Sequence, residues 1–359
     1  MSIEIIGTFN HRESSEAKPR PMGVIELDFI ARMAAAFEAA DFDRVLIAQA
    51  ATWPDGLVFA THLAGITARL KFMIAHRPGF IAPTMAARMF ATLDRVSQGR
   101  VGVHIISAPS DIETQADGDF LTRDERHARS AEYIPLLRRT WSGETFDHDG
   151  AHYRLRNAHS QVTPVQVGGI PIFFGGQSPL ALGVAGQHAD VYAFGVDRLE
   201  PSAALIDAVR GHARAAGRRL DFCMSTRIIV GRTEGEAWDK AEAVLEAVRQ
   251  DVLETEKQGG QPGALGKNHL AEARARDGDV LDERLWVGIA RATGFQKAAS
   301  TIVGTPDTVV ASLMRYYDLG VTRFLISGFD PMQDLCDFGN DLVPRLRALA
   351  SGRQRHRVP

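Results

Sequence analysis

Short apolar runs alternate with longer amphipathic ones along almost the whole chain. The apolar runs are Ile3–Phe9, Arg44–Ala48, Leu70–Ala75, Val101–Ser107, Ile172–Phe174, Val191–Phe194, Phe222–Val230 and Arg323–Ser327. Their length and their β-branched and aromatic content read as strands. Between them the apolar period changes. In Leu27–Ala40, the side chains of Phe29, Ile30, Met33 and Phe37 fall on one helical face. Thr305–Leu319 opens with Thr305 as an N-cap and Pro306 at the first helical position. Near-continuous apolar strands, each followed by a helix, indicate a parallel sheet buried on both faces. Eight of them point to an α/β chain folded as a (β/α)8 TIM barrel, and periodicity alone leaves a doubly wound open sheet standing as the alternative.

Two stretches break the rhythm, one after the fourth strand and its helix and one after the seventh. Residues 143–170 are turn-rich and carry short β-like pieces. Residues 256–300 begin with EKQGGQPGALGKNHL and end with the more apolar LWVGIARATGF. Insertions of this length in a compact domain are usually functional lids or disordered segments, and 256–300 is expected to be a mobile lid over the catalytic face of one barrel domain spanning 1–359. Residues 352–359 are expected to fray.

Composition supports a globular chain: 45% hydrophobic residues supply a sizeable core. The net charge of −3 argues against nucleic-acid binding, and an anionic substrate needs local cations rather than a global field. Cys223 and Cys336 lack metal-site spacing and read as buried free thiols. The N-terminus reads as a strand rather than a signal peptide, and no apolar run approaches membrane-spanning length, so a cytoplasmic protein is expected.

Most catalytic signatures are missing from the sequence. There is no GxGxxG after a strand, no HExxH and no GxSxG, and GGQPGALGKN has the wrong glycine spacing for a phosphate loop. Metal-independent chemistry with an organic cofactor remains. The most informative local feature is FFGGQSPL, Phe173–Leu180, where a buried strand runs into two glycines, Ser178 and Pro179. Glycines admit a ligand close to the backbone, and a helix N-terminus presents free amides to phosphate; the plainer alternative is a tight turn capped by Ser178.

Several segments, in order and with matching spacing, resemble one family. RLKFMIAHRPGFIAPTMAARMFATLDRVSQGR (Arg69–Arg100), DGDFLTRDERHARSAEYIPLLRRTW (Asp117–Trp141), FFGGQSPLAL (Phe173–Leu182) and HADVYAFG (His188–Gly195) are similar to the bacterial-luciferase-like flavin-dependent monooxygenases. TEGEAWDKAE (Thr233–Glu242) and VGTPDTVVASLMRYYDLGVTRFLISGF (Val303–Phe329) continue the match, which most resembles the FMNH2-dependent alkanesulfonate monooxygenases. The resemblance implies a TIM barrel that takes reduced FMN as a diffusing co-substrate from a separate NAD(P)H-dependent FMN reductase. It also implies O2 activation at the flavin as a C4a-peroxide, cleavage of an organosulfonate to aldehyde and sulfite, and a homo-oligomer, dimer or tetramer. The same oxygen chemistry on a non-sulfonate substrate (Baeyer–Villiger or thioether oxidation), a non-catalytic flavin-binding barrel, and an F420-using oxidoreductase are the alternatives.

Carried over residue by residue, Ser107 matches the Ser/Thr beside the isoalloxazine ring, and His104 stands at the family's Asn position on the same strand. Gly176, Gln177 and Ser178 match the phosphate loop, and His127 replaces the phosphate-binding tyrosine of an ERY motif. The substrate side departs more. Trp53 replaces a loop cysteine, Ser225 and Arg227 replace an Arg-x-His pair, and Phe329 replaces a tyrosine. His11 is retained, Arg291 aligns loosely with an anion-binding arginine, and Gln49 is polar lining. His11, Arg227 and Arg291 are thus the expected catalytic residues, with Gln49, Trp53, Ser225 and Phe329 lining the substrate pocket and no metal ligand among them.

Overall fold

The structure is a computed structural model that describes residues 3–15, 17–18, 25–107, 111–257, 279–292 and 300–355. Its twelve strands are β1 (Glu4–Thr8), β2 (Arg44–Ile47), β3 (Lys71–His76), β4 (Val101–Ile105), β5 (Phe146–Asp149), β6 (Arg154–Ala158), β7 (Ile172–Gly175), β8 (Val191–Gly195), β9 (Asp221–Val230), β10 (Leu285–Trp286), β11 (Thr301–Gly304) and β12 (Val321–Ser327). In the main sheet β12, β1, β2, β3, β4, β7 and β8 follow one another, and β9 pairs with both β8 and β12. That order closes eight strands into a parallel (β/α)8 barrel, and all eight anticipated apolar runs are among them. Strand β11 was not anticipated. Its four residues pair parallel with Arg227–Val230, and two of them, Thr301 and Ile302, pair antiparallel with β10.

Two compact units interleave along the chain. One comprises Met1–Asp43, Phe194–Ile206 and Phe222–Pro359; the other comprises Arg44–Ala193 and Asp207–Asp221. In the first, the helix Leu27–Ala39 buries Phe29, Ile30, Met33 and Phe37, the face its period marked out. Each such side chain removed from water is worth about 1.5–3 kcal/mol. The helix Pro306–Leu319 starts where Thr305 Oγ1 accepts from the Thr308 amide and stops at Gly320, whose φ of +105° suits glycine. The apolar end of the second insertion is core: Trp286 and Ile289 pack with Ala237, Leu245, Val248 and Phe329. Of the expected lid, 256–300, residues 258–278 and 293–299 lie outside the described residues. The final helix runs through Ser351–Arg355, and 356–359 lie outside the described residues. Cys223 is buried as expected, but Cys336 is exposed, because it lies on the outer face of the short helix Gln333–Asp337.

In the second unit Gly102 leaves room for Arg44, whose Nη1 donates to the Phe72 carbonyl at 2.9 Å while its guanidinium lies 5.3 Å from the Phe173 ring centre. The first insertion forms the hairpin β5–β6, clamped by Glu132. Its carboxylate accepts from His148 Nε2 at 2.8 Å and from the His152 and Tyr153 amides at 2.9 and 3.0 Å. The chain leaving that hairpin is tied down by Asp94, which is fully buried. Asp94 accepts from the amides of Val165 (2.8 Å) and Gln166 (3.3 Å) and from Gln166 Nε2 (2.6 Å).

Removing that acceptor strands several donors at once. Asp94→Ala is expected to destabilise folding by about 2–3 kcal/mol, the usual range for lost charge-assisted bonds with buried partners, with Asp94→Asn recovering part. Urea denaturation of the three proteins measures this; a loss in Asp94→Ala under about 0.5 kcal/mol, the level of an ordinary surface change, contradicts it.

Candidate active site

All six cofactor-side candidates lie in the second unit, within a short reach of the β7 end. Strand β7 finishes at Gly175, and Gly176 then adopts φ +131°, a conformation that side chains resist. A Cβ there would also stand 2.8 Å from the Ala181 Cβ. The turn delivers the chain to Ser178, the N-cap of the helix Pro179–His188, whose Oγ accepts from the Ala181 amide at 3.2 Å. The expected cap and first-turn proline are both present. The amides of Gln177, Ser178 and Leu180 make no hydrogen bond among the described residues, and Gln177 is exposed.

His127 faces this turn. It is 2% exposed and its Nε2 is buried without a partner, 3.9 Å from the position a Gly176 Cβ would take. Its other nitrogen, Nδ1, is 3.0 Å from Ser107 Oγ. The Ser107 carbonyl in turn accepts from Arg126 Nε at 2.7 Å, and Arg126 pairs with Asp111 at 2.9 Å. When the Ser107 hydroxyl donates to Nδ1, the proton of the neutral ring sits on Nε2 and faces Gly176. His104, on β4, also has a buried Nδ1 without a partner, and its ring lies beside Gly175. Burial is the main reason both rings titrate low, at about 4; for His127 the nearby Arg123 adds to it, and for His104 a backbone hydrogen bond at Phe173 opposes it.

The remaining candidates divide between the units. In the second unit the Gln49 carbonyl accepts from Arg77 Nη2 at 3.3 Å, and Trp53 is 41% exposed in the loop after β2. Arg77 itself is almost wholly buried, ion-paired to Glu113, and was not singled out from sequence. In the first unit Ser225 and Arg227 share one face of β9, as their spacing implied. Arg227 donates from Nη1 to Ser327 Oγ at 3.1 Å and lies 4.2 Å from the centre of the Phe329 ring. Phe329 is 3% exposed and belongs to the hydrophobic cluster. Arg291 ion-pairs with Asp279, and His11 is half-buried, its pKa lowered by burial and by Arg12. The structure therefore brings together Ser107, His127 and Gly176 within the second unit, and Arg227 with Phe329 within the first. Tyr192, whose hydroxyl donates to the Gly176 carbonyl at 2.7 Å, is the neighbour that sequence reasoning missed. No local pattern marks it, since a tyrosine in a buried strand reads as core.

The buried rings carry a pH signature. His76, His104 and His127 all titrate near 4 in the fold, mainly because burial penalises the cation, against about 6.5 for a free imidazole. Between those values the unfolded chain binds protons that the folded chain does not. The contribution of these three rings is therefore fully present above pH 6.5 and falls as pH drops toward 4, by up to about 1.4 kcal/mol per pH unit for each ring. Urea midpoints at pH 7, 6 and 5 are expected to decline, and more shallowly in His127→Gln. Equal slopes in the two proteins would remove His127 from that set.

The family model described as Luciferase-like monooxygenase matches residues 1–323. Among solved structures, a riboflavin lyase determined with modified FMN and riboflavin aligns with a TM-score of 0.77 at 18% identity, over 98% of this chain and 92% of its own. A long-chain alkane monooxygenase aligns with the same values, and the EDTA monooxygenase of Chelativorans sp. BNC1 with 0.75 at 18%, over 98% and 95%. An F420-dependent secondary alcohol dehydrogenase aligns at 0.70 and 15%, over 96% and 99%, so the shared fold serves more than one cofactor. At these identities the structures speak for the fold alone, while the family model spans most of the sequence. The chain belongs to the luciferase-like monooxygenase family.

Proposed function

We propose that the protein is a two-component, FMNH2-dependent monooxygenase that uses O2 to desulfonate an organosulfonate, with a separate NAD(P)H-dependent FMN reductase as its partner. The observation that carries the cofactor reading is the buried, unpartnered Nε2 of His127 beside the Gly176 turn. A buried polar nitrogen without a partner is rare, and a ligand that completes it is the economical explanation. FMN fits the donor set. Its phosphate would take the amides of Gln177, Ser178 and Leu180 and the His127 ring, at the positive end of the Pro179–His188 helix, where Gly176 keeps the surface free of a side chain. Ser107 would then act through His127 by holding its tautomer, and His104 would offer a second imidazole on the strand before it. Reduced FMN, when bound, supplies the electrons by which O2 is activated and one oxygen atom reaches the substrate.

The substrate reading rests on Arg227. A guanidinium on the barrel strand β9, backed by Phe329 and steadied by Ser327, presents a planar fork suited to a sulfonate or carboxylate. Removing it leaves an incoming anion desolvated without a partner, a loss of several kcal/mol. His11, with its pKa held low, is neutral at neutral pH and suits a proton-accepting or hydrogen-bonding role. The second reading, oxidation of a non-sulfonate substrate, is favoured by the degree to which Arg227 is already engaged by Ser327 and Phe329.

The test is a sulfite-release screen over short organosulfonates with the reductase, NADH, FMN and air. One aldehyde per sulfite is expected from at least one compound. With that substrate, Arg227→Ala is expected to lower turnover by roughly 100-fold or more, and Arg227→Lys to recover only part, since an ammonium lacks the fork. Reduced-FMN affinity should stay unchanged in both. Equal turnover in wild type and Arg227→Ala would assign the arginine to packing and move the substrate class to neutral molecules.

A further inference from the structure

We propose that Tyr192 is a positioning residue for phosphate recognition, acting through the peptide between Gly176 and Gln177; this rests on the flavin reading above. Tyr192 is fully buried on β8, where it stands in register with Phe174 of β7. Its phenol reaches past the end of that neighbouring strand and donates to the Gly176 carbonyl at 2.7 Å. Burial pushes the phenol pKa well above its ordinary value, so the hydroxyl stays protonated and remains a donor at any working pH.

The consequence follows from peptide geometry. The described peptide bonds are all trans, so the carbonyl of residue 176 and the amide of residue 177 point in opposite directions from one rigid plane. Fastening the carbonyl to Tyr192 therefore aims the Gln177 N–H away from the strand pair. Glycine, here at φ +131°, restrains its backbone less than any other residue type, and without an anchor this plane would rock. Ser178 follows this plane directly and opens the helix, and the His127 Nε2, held from its own helix, lies 3.9 Å from the point where a Cβ of Gly176 would be. An anion-binding set made from consecutive amides works only if the amides converge, and convergence is what the tyrosine hydroxyl supplies. Tyr192 touches neither phosphate nor ring in this scheme. It determines how well the protein distinguishes a flavin that carries a phosphate from one that does not.

The experiment compares reduced FMN with reduced riboflavin, titrated anaerobically into wild type and Tyr192→Phe and followed by flavin fluorescence and absorbance. Wild type is expected to prefer FMN strongly. Tyr192→Phe keeps the buried ring and removes one donor, so its FMN dissociation constant is expected to rise about five- to tenfold, while that for riboflavin stays within experimental error. The FMN-to-riboflavin ratio should fall by the same factor. Retention of the wild-type ratio in Tyr192→Phe overturns the role of Tyr192 and leaves the flavin reading intact. Parallel loss of both affinities, or failure of the variant to fold, also overturns it, because the hydroxyl would then be supporting the barrel and not the loop. A wild-type protein that does not distinguish the two flavins removes the phosphate site itself, and the inference with it.

Discussion

The turn at Gly176 is the constraint on which the cofactor side depends. A parallel strand hands over to a helix within three residues, and it does so here with φ +131° and no room for a side chain against Ala181. That single geometry has three effects. It leaves the amides after it without partners, it lets the His127 ring approach the backbone, and it places the carbonyl within reach of Tyr192. Substituting any larger residue at 176 would disturb all of them together. Ser178 completes the arrangement by capping the helix with its own hydroxyl, so the helix start is fixed independently of any ligand.

A second layer holds His127 still. Ser107 engages one ring nitrogen, and Arg126, the residue before His127, donates to the Ser107 carbonyl. The helix that carries both Arg126 and His127 starts with a reciprocal cap, Thr122 with Glu125. Nearby buried arginines are each matched by a carboxylate, Arg77 by Glu113 and Arg129 by Asp119. Matched charges of this kind add little net stability, but breaking one is expensive, so they favour a single arrangement of the loops after β3 and β4. The resemblance implies a place for Ser107 beside the flavin ring, and its hydroxyl also engages the Nδ1 of His127.

The legible parts were those written in local periodicity. Eight strands, the Leu27–Ala39 helix, the Thr305 and Ser178 caps and the shared face of Ser225 and Arg227 all follow from spacing and residue type within a few positions. The illegible parts depend on partners far away in sequence. Thr301–Gly304 is a strand because β9 and Leu285–Trp286 flank it, not because four residues declare it. Cys336 is exposed although its neighbours are apolar enough to suggest burial. Neither Tyr192 nor Arg77 is marked by a local pattern, and it is their bonds to Gly176 and to Glu113 that give them a place in the site's surroundings. The family resemblance supplied residue roles that periodicity does not encode, and it was most informative where the chain keeps the pattern. Where the chain departs from it, at Trp53, Ser225 and Phe329, the resemblance carries less. Phe329, expected to line the substrate pocket, is buried in the hydrophobic cluster with its ring 4.2 Å from the Arg227 guanidinium.

The His127 ring is the most direct place to test the phosphate site. Its nitrogen chemical shifts in protein labelled at histidine report both protonation and hydrogen bonding, one nitrogen at a time. In the free protein at pH 7 the ring is neutral, with Nδ1 against Ser107 and Nε2 without a partner. Saturating reduced FMN is expected to shift the Nε2 resonance strongly, with reduced riboflavin leaving it close to its free value. A Nε2 resonance that ignores FMN while the flavin is demonstrably bound would contradict a phosphate held at the Gly176 turn.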